Sequence, residues 1–319
     1  MISSLGLGTY LGAMNAATDA GYTGSVLAAI EGGINFLDTS LNYRHQRSER
    51  NIGAALTRAF TGGCQRDEIV VATKAGYLVP DALPAGLLSA ADIVGGMHSM
   101  APVFLEDQLE RSRVNLGLET IDIFYLHNPE TQLSHVAAET FYQRARKAFE
   151  KLEELAAAGR IGSYGTATWS GYRQNGAPDG LSLVRLAGLA ERVAGSGHHF
   201  RFIQLPFNLA MTEAYGQRAE TLNGERMSVL DAAARLGISV VASASLLQAR
   251  LAKELPETLA GAMAGPSSDA TRAIQFARSA PGIAAALVGM SNPAHVRGNL
   301  EVAGYPPVPA DRFASLFGG

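Results

Sequence analysis

Eight apolar, β-prone runs recur along the 319-residue chain, and helix-patterned segments lie between them. The runs are LGLGTY (5–10), INFLDT (34–39), IVVATK (69–74), IDIFYLH (121–127), IGSYGTAT (161–168), FIQLPFN (202–208), ISVVASAS (238–245) and AAALVGM (284–290). The intervening stretches include SERNIGAALTRAF, FLEDQLERSRVNLG, ARKAFEKLEELAAAGR, MSVLDAAARLG and DATRAIQFARSAPG, with apolar residues at three- and four-residue spacing. Near-continuous apolar strands alternating with helices specify a parallel sheet covered by helices. Eight such units fit a closed (β/α)8 TIM barrel, one α/β domain over 1–319, better than an open sheet. A doubly wound fold is the structural alternative, but the first βα turn lacks G-x-G-x-x-G, and no G-x-x-x-x-G-K-[ST] occurs.

Composition agrees with a large buried core. Hydrophobic residues make up 47% of the chain and charged residues 17%, below the usual quarter. A net charge of -3 and a pI near 6.2 give no electrostatic case for nucleic acid or an anionic membrane as partner. The lone cysteine, Cys64, has no internal disulfide partner, which suits a reducing, cytoplasmic compartment. The N-terminus shows no basic region followed by a sustained apolar stretch, so no targeting segment is expected. Three connections follow strand ends and are long enough to wall a pocket or act as lids: 75–102, 208–228 and 251–268.

In a barrel of this kind the chemistry sits at the C-terminal ends of the strands. Asp38 ends the second run, Lys74 the third and His127 the fourth, and Tyr43 lies in the loop after the second. Singly, each has a plain structural role: a turn cap, a snorkelling amine, a packed imidazole, a loop aromatic. Together on one rim they suit proton donation to a carbonyl oxygen. An adjacent Lys74 ammonium is expected to lower the Tyr43 pKa from about 10. Asp38 would keep that amine charged in a dry barrel mouth, and His127 would donate a hydrogen bond to the substrate oxygen. Lys74 could instead form a Schiff base, as in an aldolase.

Other polar residues carry less. His198 and His199 adjoin a strand start and read as surface; His45, His98 and His135 read as solvated or substrate-touching loop residues. No histidine or carboxylate spacing supports a metal site. Ser48 is expected to N-cap a helix with Glu49 in its first turn. Arg44 and Arg47 are expected in solvent, or against an anionic substrate.

The segment GINFLDTSLNYRHQRSERNIGAAL resembles the Asp-Thr-x-x-x-Tyr signature of the aldo-keto reductases, followed by Ser-Glu and a helix; VVATK resembles the family's lysine strand and IDIFYLHNPE its histidine strand. The resemblance runs over nearly the whole chain. It implies a barrel that binds an extended nicotinamide dinucleotide and interconverts carbonyls and alcohols, with Tyr43 as general acid/base, Lys74 and Asp38 tuning it, His127 orienting the carbonyl, and no metal. It further implies that Thr168 and Gln204 hold the carboxamide, with Asn208 nearby, that Ser243, Leu246 and Gln248 follow the pyrophosphate, and that Gly289, Ser291, His295 and Asn299 meet adenosine.

Several family positions differ here. The usual Ser-Asn pair after the fifth strand reads Ala167 and Thr168, followed by Trp169, and the position of the aromatic that often stacks on nicotinamide reads Ser243. Positions that are basic in NADPH-using relatives read Gly289, Ser291 and His295, with only Arg297 close by. VGM is similar to the matching segment of NAD-using sugar dehydrogenases in the family. The resemblance therefore leaves NADP and NAD both open. It implies a small-molecule carbonyl or alcohol substrate and a monomer or small homo-oligomer. The family's barrel-floor hairpin is expected to be reduced or to lie before residue 1, and the long C-terminal substrate loop is not expected. A cofactor-binding regulatory subunit resembling the potassium-channel β subunits is the alternative on the same fold.

Overall fold

The computed structural model describes residues 1–317 except 175–176, 178–179, 258–262 and 264. Eight parallel strands close into a barrel: β1 (Leu5–Gly8), β2 (Phe36–Asp38), β3 (Val70–Ala75), β4 (Ile121–His127), β5 (Ile161–Ala167), β6 (Phe200–Pro206), β9 (Ser239–Ser243) and β10 (Ile283–Gly289). Two further strands, β7 (Glu220–Leu222) and β8 (Glu225–Met227), form a separate antiparallel hairpin. The barrel strands follow one another in chain order, with β6 beside β9 across the excursion that carries β7 and β8, and β1 closes against β10.

Alternate residues of the strands point inward, as the pleat requires. Phe36, Ala72, Ile123, Tyr125, Ala167, Val241, Ala285 and Leu287 fill the interior, with Ile2, Val70 and Phe202 packed against them. The outward set meets the helices. Helix Ala138–Ala157 contributes Phe141, Ala145, Ala148, Phe149 and Leu152 at the spacing of one helical face, and helix Pro102–Leu116 contributes Phe104, Leu105 and Leu109. Register sets the rim: His127 on β4 pairs with Ala167 on β5, which pairs with Gln204 on β6. Lys74 on β3 pairs with Tyr125 on β4.

Two local expectations are corrected. Helix Arg47–Thr61 begins before Ser48, with Gln46 in a left-handed conformation at its N-cap and no side-chain cap. The Ser48 hydroxyl donates to the Thr9 carbonyl at 2.8 Å and ties the β1 loop to the helix start. The 208–228 connection does not wall the barrel mouth. It folds into helix Glu213–Gly216 and the β7–β8 hairpin, where Glu220 accepts from the Leu183 backbone N–H at 2.6 Å and from the Ser182 hydroxyl at 2.8 Å at the start of helix Leu183–Ala194.

The 75–102 connection does overhang the mouth. The Leu78 N–H donates to the Met97 carbonyl, and Tyr77 bridges to His98, so the loop folds back on itself. Part of 251–268 also reaches the mouth, through Ala252, Ser267 and Ser268; residues 258–262 and 264 of that connection lie outside the described residues. Among the described residues, no helix is long and apolar enough to cross a membrane.

Candidate active site

A cavity of about 1200 Å³ opens at the C-terminal ends of the strands. At its base, Lys74 Nζ donates to Asp38 Oδ1 at 2.6 Å and to the Thr39 carbonyl at 2.7 Å. Gln204 Nε2 donates to the other carboxylate oxygen, Oδ2, at 2.7 Å. Asp38 and Lys74 are buried. Burial pushes the Asp38 pKa up and the Lys74 pKa down, and in each case the opposite charge of the partner resists the shift. The ion pair suits so dry a place because both carboxylate oxygens and two of the three ammonium hydrogens have partners.

Tyr43 is half-buried above this pair, its ring centroid 5.1 Å from Lys74 Nζ. Its ring meets Tyr10 edge-on at 5.0 Å and His127 at 5.7 Å. Three successive left-handed residues, Arg44, His45 and Gln46, turn the chain sharply after it. Such conformations are costly outside glycine and persist only where their surroundings impose them. Here Arg44 supplies the restraint: it is buried and donates through Nε and Nη2 to the Ala13 carbonyl and through Nη2 to Asp19. Arg47 also pairs with Asp19. Neither arginine stands free in solvent or lines the cavity, contrary to expectation.

The Tyr43 phenol is held well above its ordinary pKa, by burial first and then by the Asp38 charge and the neighbouring Tyr10 and Tyr77. This reverses the expected direction. The Lys74 ammonium is engaged by Asp38, so its field at the phenol is largely offset by the carboxylate. The Tyr43 phenol is therefore protonated at neutral pH.

His127 ends β4 and lines the cavity. Burial, then the Lys74 charge and His98, keep it neutral by lowering its pKa well below the ordinary range. Ser40 Oγ lies 3.2 Å from its Nδ1, and the other ring nitrogen has no protein partner among the described residues. Ser40 has one hydrogen and three acceptors in reach: that nitrogen, Asn42 Oδ1 at 2.6 Å and the Lys74 carbonyl at 3.2 Å. When Ser40 donates to Nδ1, Nε2 carries the imidazole hydrogen and can offer it to a ligand oxygen.

His98 is fully buried rather than solvated. Its Nε2 donates to the His127 carbonyl at 2.7 Å, and Gln132 Nε2 donates to its Nδ1 at 2.9 Å. Gly76 makes this approach possible, because a methyl group there would collide with the His127 carbonyl and His98 Nε2. Burial lowers the His98 pKa to about 4. The unfolded imidazole takes its proton near 6.5, so the stability linked to neutral His98 is fully present above about 6.5 and is lost as pH falls toward 4. Urea unfolding should show the wild type losing roughly 1–3 kcal/mol more than His98→Gln between about pH 6.5 and 4.5. Equal losses would show that His98 does not titrate on unfolding.

Glu130, which the sequence did not single out, organises the loop after β5. Its Oε1 accepts from the backbone N–H groups of Trp169, Ser170 and Gly171 at 2.7, 3.1 and 3.3 Å. Thr168 Oγ1 donates to the Gln204 carbonyl at 3.4 Å. Thr168, Gln204, Ser243, Leu246, Gln248, Gly289, His295 and Asn299 all line the same cavity as Asp38, Tyr43 and His127. Ser291 lies outside the lining, its carbonyl packed against Gly21 of helix Ala16–Glu31. Asn208 is buried away from the cavity and donates to the Ala244 carbonyl. Among the described residues no cluster could hold a metal ion.

A closed barrel of eight parallel strands with its polar cluster at the C-terminal rim is the plan on which (β/α)8 enzymes are built. The chain belongs to the aldo/keto reductase family, whose model matches residues 4–175, more than half of its length. It is 32% identical over 146 residues to a D-threo-aldose 1-dehydrogenase from a Pseudomonas species, covering 43% of this chain and 41% of that one. It is 28% identical over 159 residues to the uncharacterized oxidoreductase YqkF of Bacillus subtilis (strain 168), covering 50% and 44%. The chain thus matches less than half the length of these relatives. Among solved structures, a glycerol dehydrogenase from Gluconobacter oxydans superposes with a TM-score of 0.70 at 19% identity, covering 99% of this chain and 90% of that one. An aldo/keto reductase from Klebsiella pneumoniae, in complex with NADP and acetate, gives 0.68 at 19% identity over 99% and 90%.

Proposed function

We propose that the chain is an NAD(P)-dependent oxidoreductase that interconverts a carbonyl and an alcohol, and that its substrate is an uncharged aldehyde, ketone or sugar lactol. The observation that carries this reading is the convergence of Asp38, Lys74, Tyr43 and His127 at one end of a cavity large enough for a dinucleotide and a small substrate together. The NADP-bound Klebsiella pneumoniae relative and the aldose dehydrogenase relative support it.

The residues present fit such a cofactor. Ser245 Oγ is buried without a hydrogen-bond partner and belongs to the cavity lining. Beside it, left-handed Ala244, Leu247, Gln248 and Ala249 turn the chain in the kind of conformation whose backbone N–H groups cradle anions. Ser243, Ser245, Leu246 and Gln248 would follow the pyrophosphate, Gln204 and Thr168 the carboxamide, and His295 and Asn299 the adenosine. When bound, the nicotinamide ring supplies or accepts the hydride.

The protein's own part is to move a proton and hold an oxygen. In reduction, Tyr43 gives its phenolic hydrogen to the carbonyl oxygen, and in oxidation it takes that hydrogen back. The Lys74 ammonium, 5.1 Å from the centre of the Tyr43 ring, is the cation beside the phenolate left behind, although Asp38 offsets much of its charge. His127 donates through its free ring nitrogen and orients the same oxygen. Lys74 is poorly placed for Schiff-base chemistry, because it is buried beneath Tyr43, engaged twice and absent from the cavity lining. A regulatory subunit would bind dinucleotide without turning over.

Charge argues for a neutral substrate. Among the described residues no lysine or arginine lines the cavity, whereas Asp38, Glu130 and Glu301 do. The rim instead offers exposed Tyr10, Leu11, Met97 and Trp169, whose flat and apolar faces suit a sugar ring or an alkyl aldehyde. Steady-state turnover of matched neutral and carboxylated or phosphorylated aldehydes should give kcat/KM at least about tenfold higher for the neutral member of each pair. Equal or faster turnover of the anionic members would contradict the neutral-substrate reading.

A further inference from the structure

The end of the cavity bounded by His295, Asn299 and Glu301, assigned above to adenosine, carries a fixed negative charge. Glu301 accepts from the Ser267 backbone N–H through Oε1 and from the Ser267 hydroxyl through Oε2, each at 2.7 Å. Both oxygens are thereby held in place while the carboxylate still forms part of the cavity wall with Ser267, Ser268, His295 and Asn299. These hydrogen bonds also hold its pKa below the usual carboxylate range, so it is ionised at neutral pH.

Among the described residues, no lysine or arginine lines this end of the cavity to clamp a phosphate. Arg272 is close enough for its charge to act on Glu301, but it is paired with Asp269 through Nη1 at 3.0 Å, its Nε is buried, and it lies outside the lining; Arg297, Arg250 and Lys253 are exposed and also outside the lining. Residues 258–262 and 264 include no lysine or arginine. A ribose 2′-hydroxyl can donate to a carboxylate, the chemistry by which acidic residues select NAD in other folds. A 2′-phosphate brings close to two negative charges and requires guanidinium or ammonium partners.

We infer that Glu301 makes this end of the cavity selective for a 2′-hydroxyl over a 2′-phosphate, so that the chain takes NAD(H) in preference to NADP(H); this rests on the dinucleotide reading above. Glu301 thus acts as a specificity-determining residue for the cofactor. The NADP-bound relative differs from this chain at four of every five aligned positions, so its cofactor does not fix the choice here.

The test is equilibrium titration of the full chain with NADH and with NADPH, read from the fluorescence of its single tryptophan, Trp169, which lines the same cavity. NADH should bind at least about tenfold more tightly, and Glu301→Gln, which keeps an acceptor for the Ser267 N–H, should shrink that ratio at least about threefold. Raising ionic strength should also shrink it, because salt screens a repulsion; were Arg272, Arg297, Arg250 or Lys253 to hold the phosphate, salt would raise the ratio and overturn the assignment. NADPH binding as tightly as NADH, or a ratio unchanged in Glu301→Gln, overturns the assignment of Glu301 and leaves the dinucleotide site standing. Binding of neither cofactor overturns both.

Discussion

Tyr43→Phe should lower kcat by about 10²- to 10⁴-fold, the usual contribution of a positioned general acid, while dinucleotide affinity stays within about twofold. The substitution removes only a hydroxyl. The ring that touches Tyr10, His127 and the Lys74 ammonium remains, so the cavity keeps its shape. The raised pKa of Tyr43 adds a directional consequence. A phenol is an acid in its protonated form, which is fully present below its pKa, so the Tyr43 acid should persist through neutral and mildly alkaline pH in the reduction direction. Stopped-flow and steady-state rates of wild type and variant check both statements; a Tyr43→Phe protein that reduces substrate at the wild-type rate would remove Tyr43 from the chemistry.

The second large effect is on stability. Asp38→Ala leaves the Lys74 ammonium with one partner, the Thr39 carbonyl, inside a dry barrel mouth. Removing one member of a buried ion pair costs about 3–5 kcal/mol, because the remaining charge stays desolvated or must give up its proton. Adding Lys74→Met removes that orphan charge and restores an apolar stem of similar length. The double variant should therefore be more stable than Asp38→Ala alone, with the two changes non-additive by at least about 1 kcal/mol in denaturant unfolding. Turnover should be lost in all three proteins. Additive losses would mean that Asp38 and Lys74 act independently, against the 2.6 Å contact between them.

The barrel and the tetrad were legible because both rest on local rules. Strand runs are apolar through and through, and a charged or imidazole side chain at the last residue of such a run stands out, as Asp38, Lys74 and His127 do. The strand bounds shift by a few residues, as with β6, which starts at Phe200 rather than 202. What the sequence hid are partnerships made by loops. Arg44 and Arg47 look like free surface cations until helix Ala16–Glu31 brings Asp19 against them. His98 looks like one loop histidine among several until 75–102 folds back and places it on the His127 carbonyl. Ser40 is a missed signal: it lies two residues past Asp38, on the loop that carries Tyr43, and its hydroxyl lies 3.2 Å from His127 Nδ1. The Tyr43 pKa rises rather than falls because burial of the phenol, first, and then the Asp38 charge raise it, and neither is visible from a lysine's place at a strand end.

The most direct test of the account is to mix the purified chain with reduced nicotinamide dinucleotide and a neutral aldehyde or aldose panel, then measure alcohol formed and nicotinamide oxidised in the same reaction. One nicotinamide oxidised per alcohol formed, with both signals lost together in Tyr43→Phe, is the predicted result. Conversion of the panel without any change in the nicotinamide, or a carbonyl trapped on Lys74 by borohydride, would contradict it.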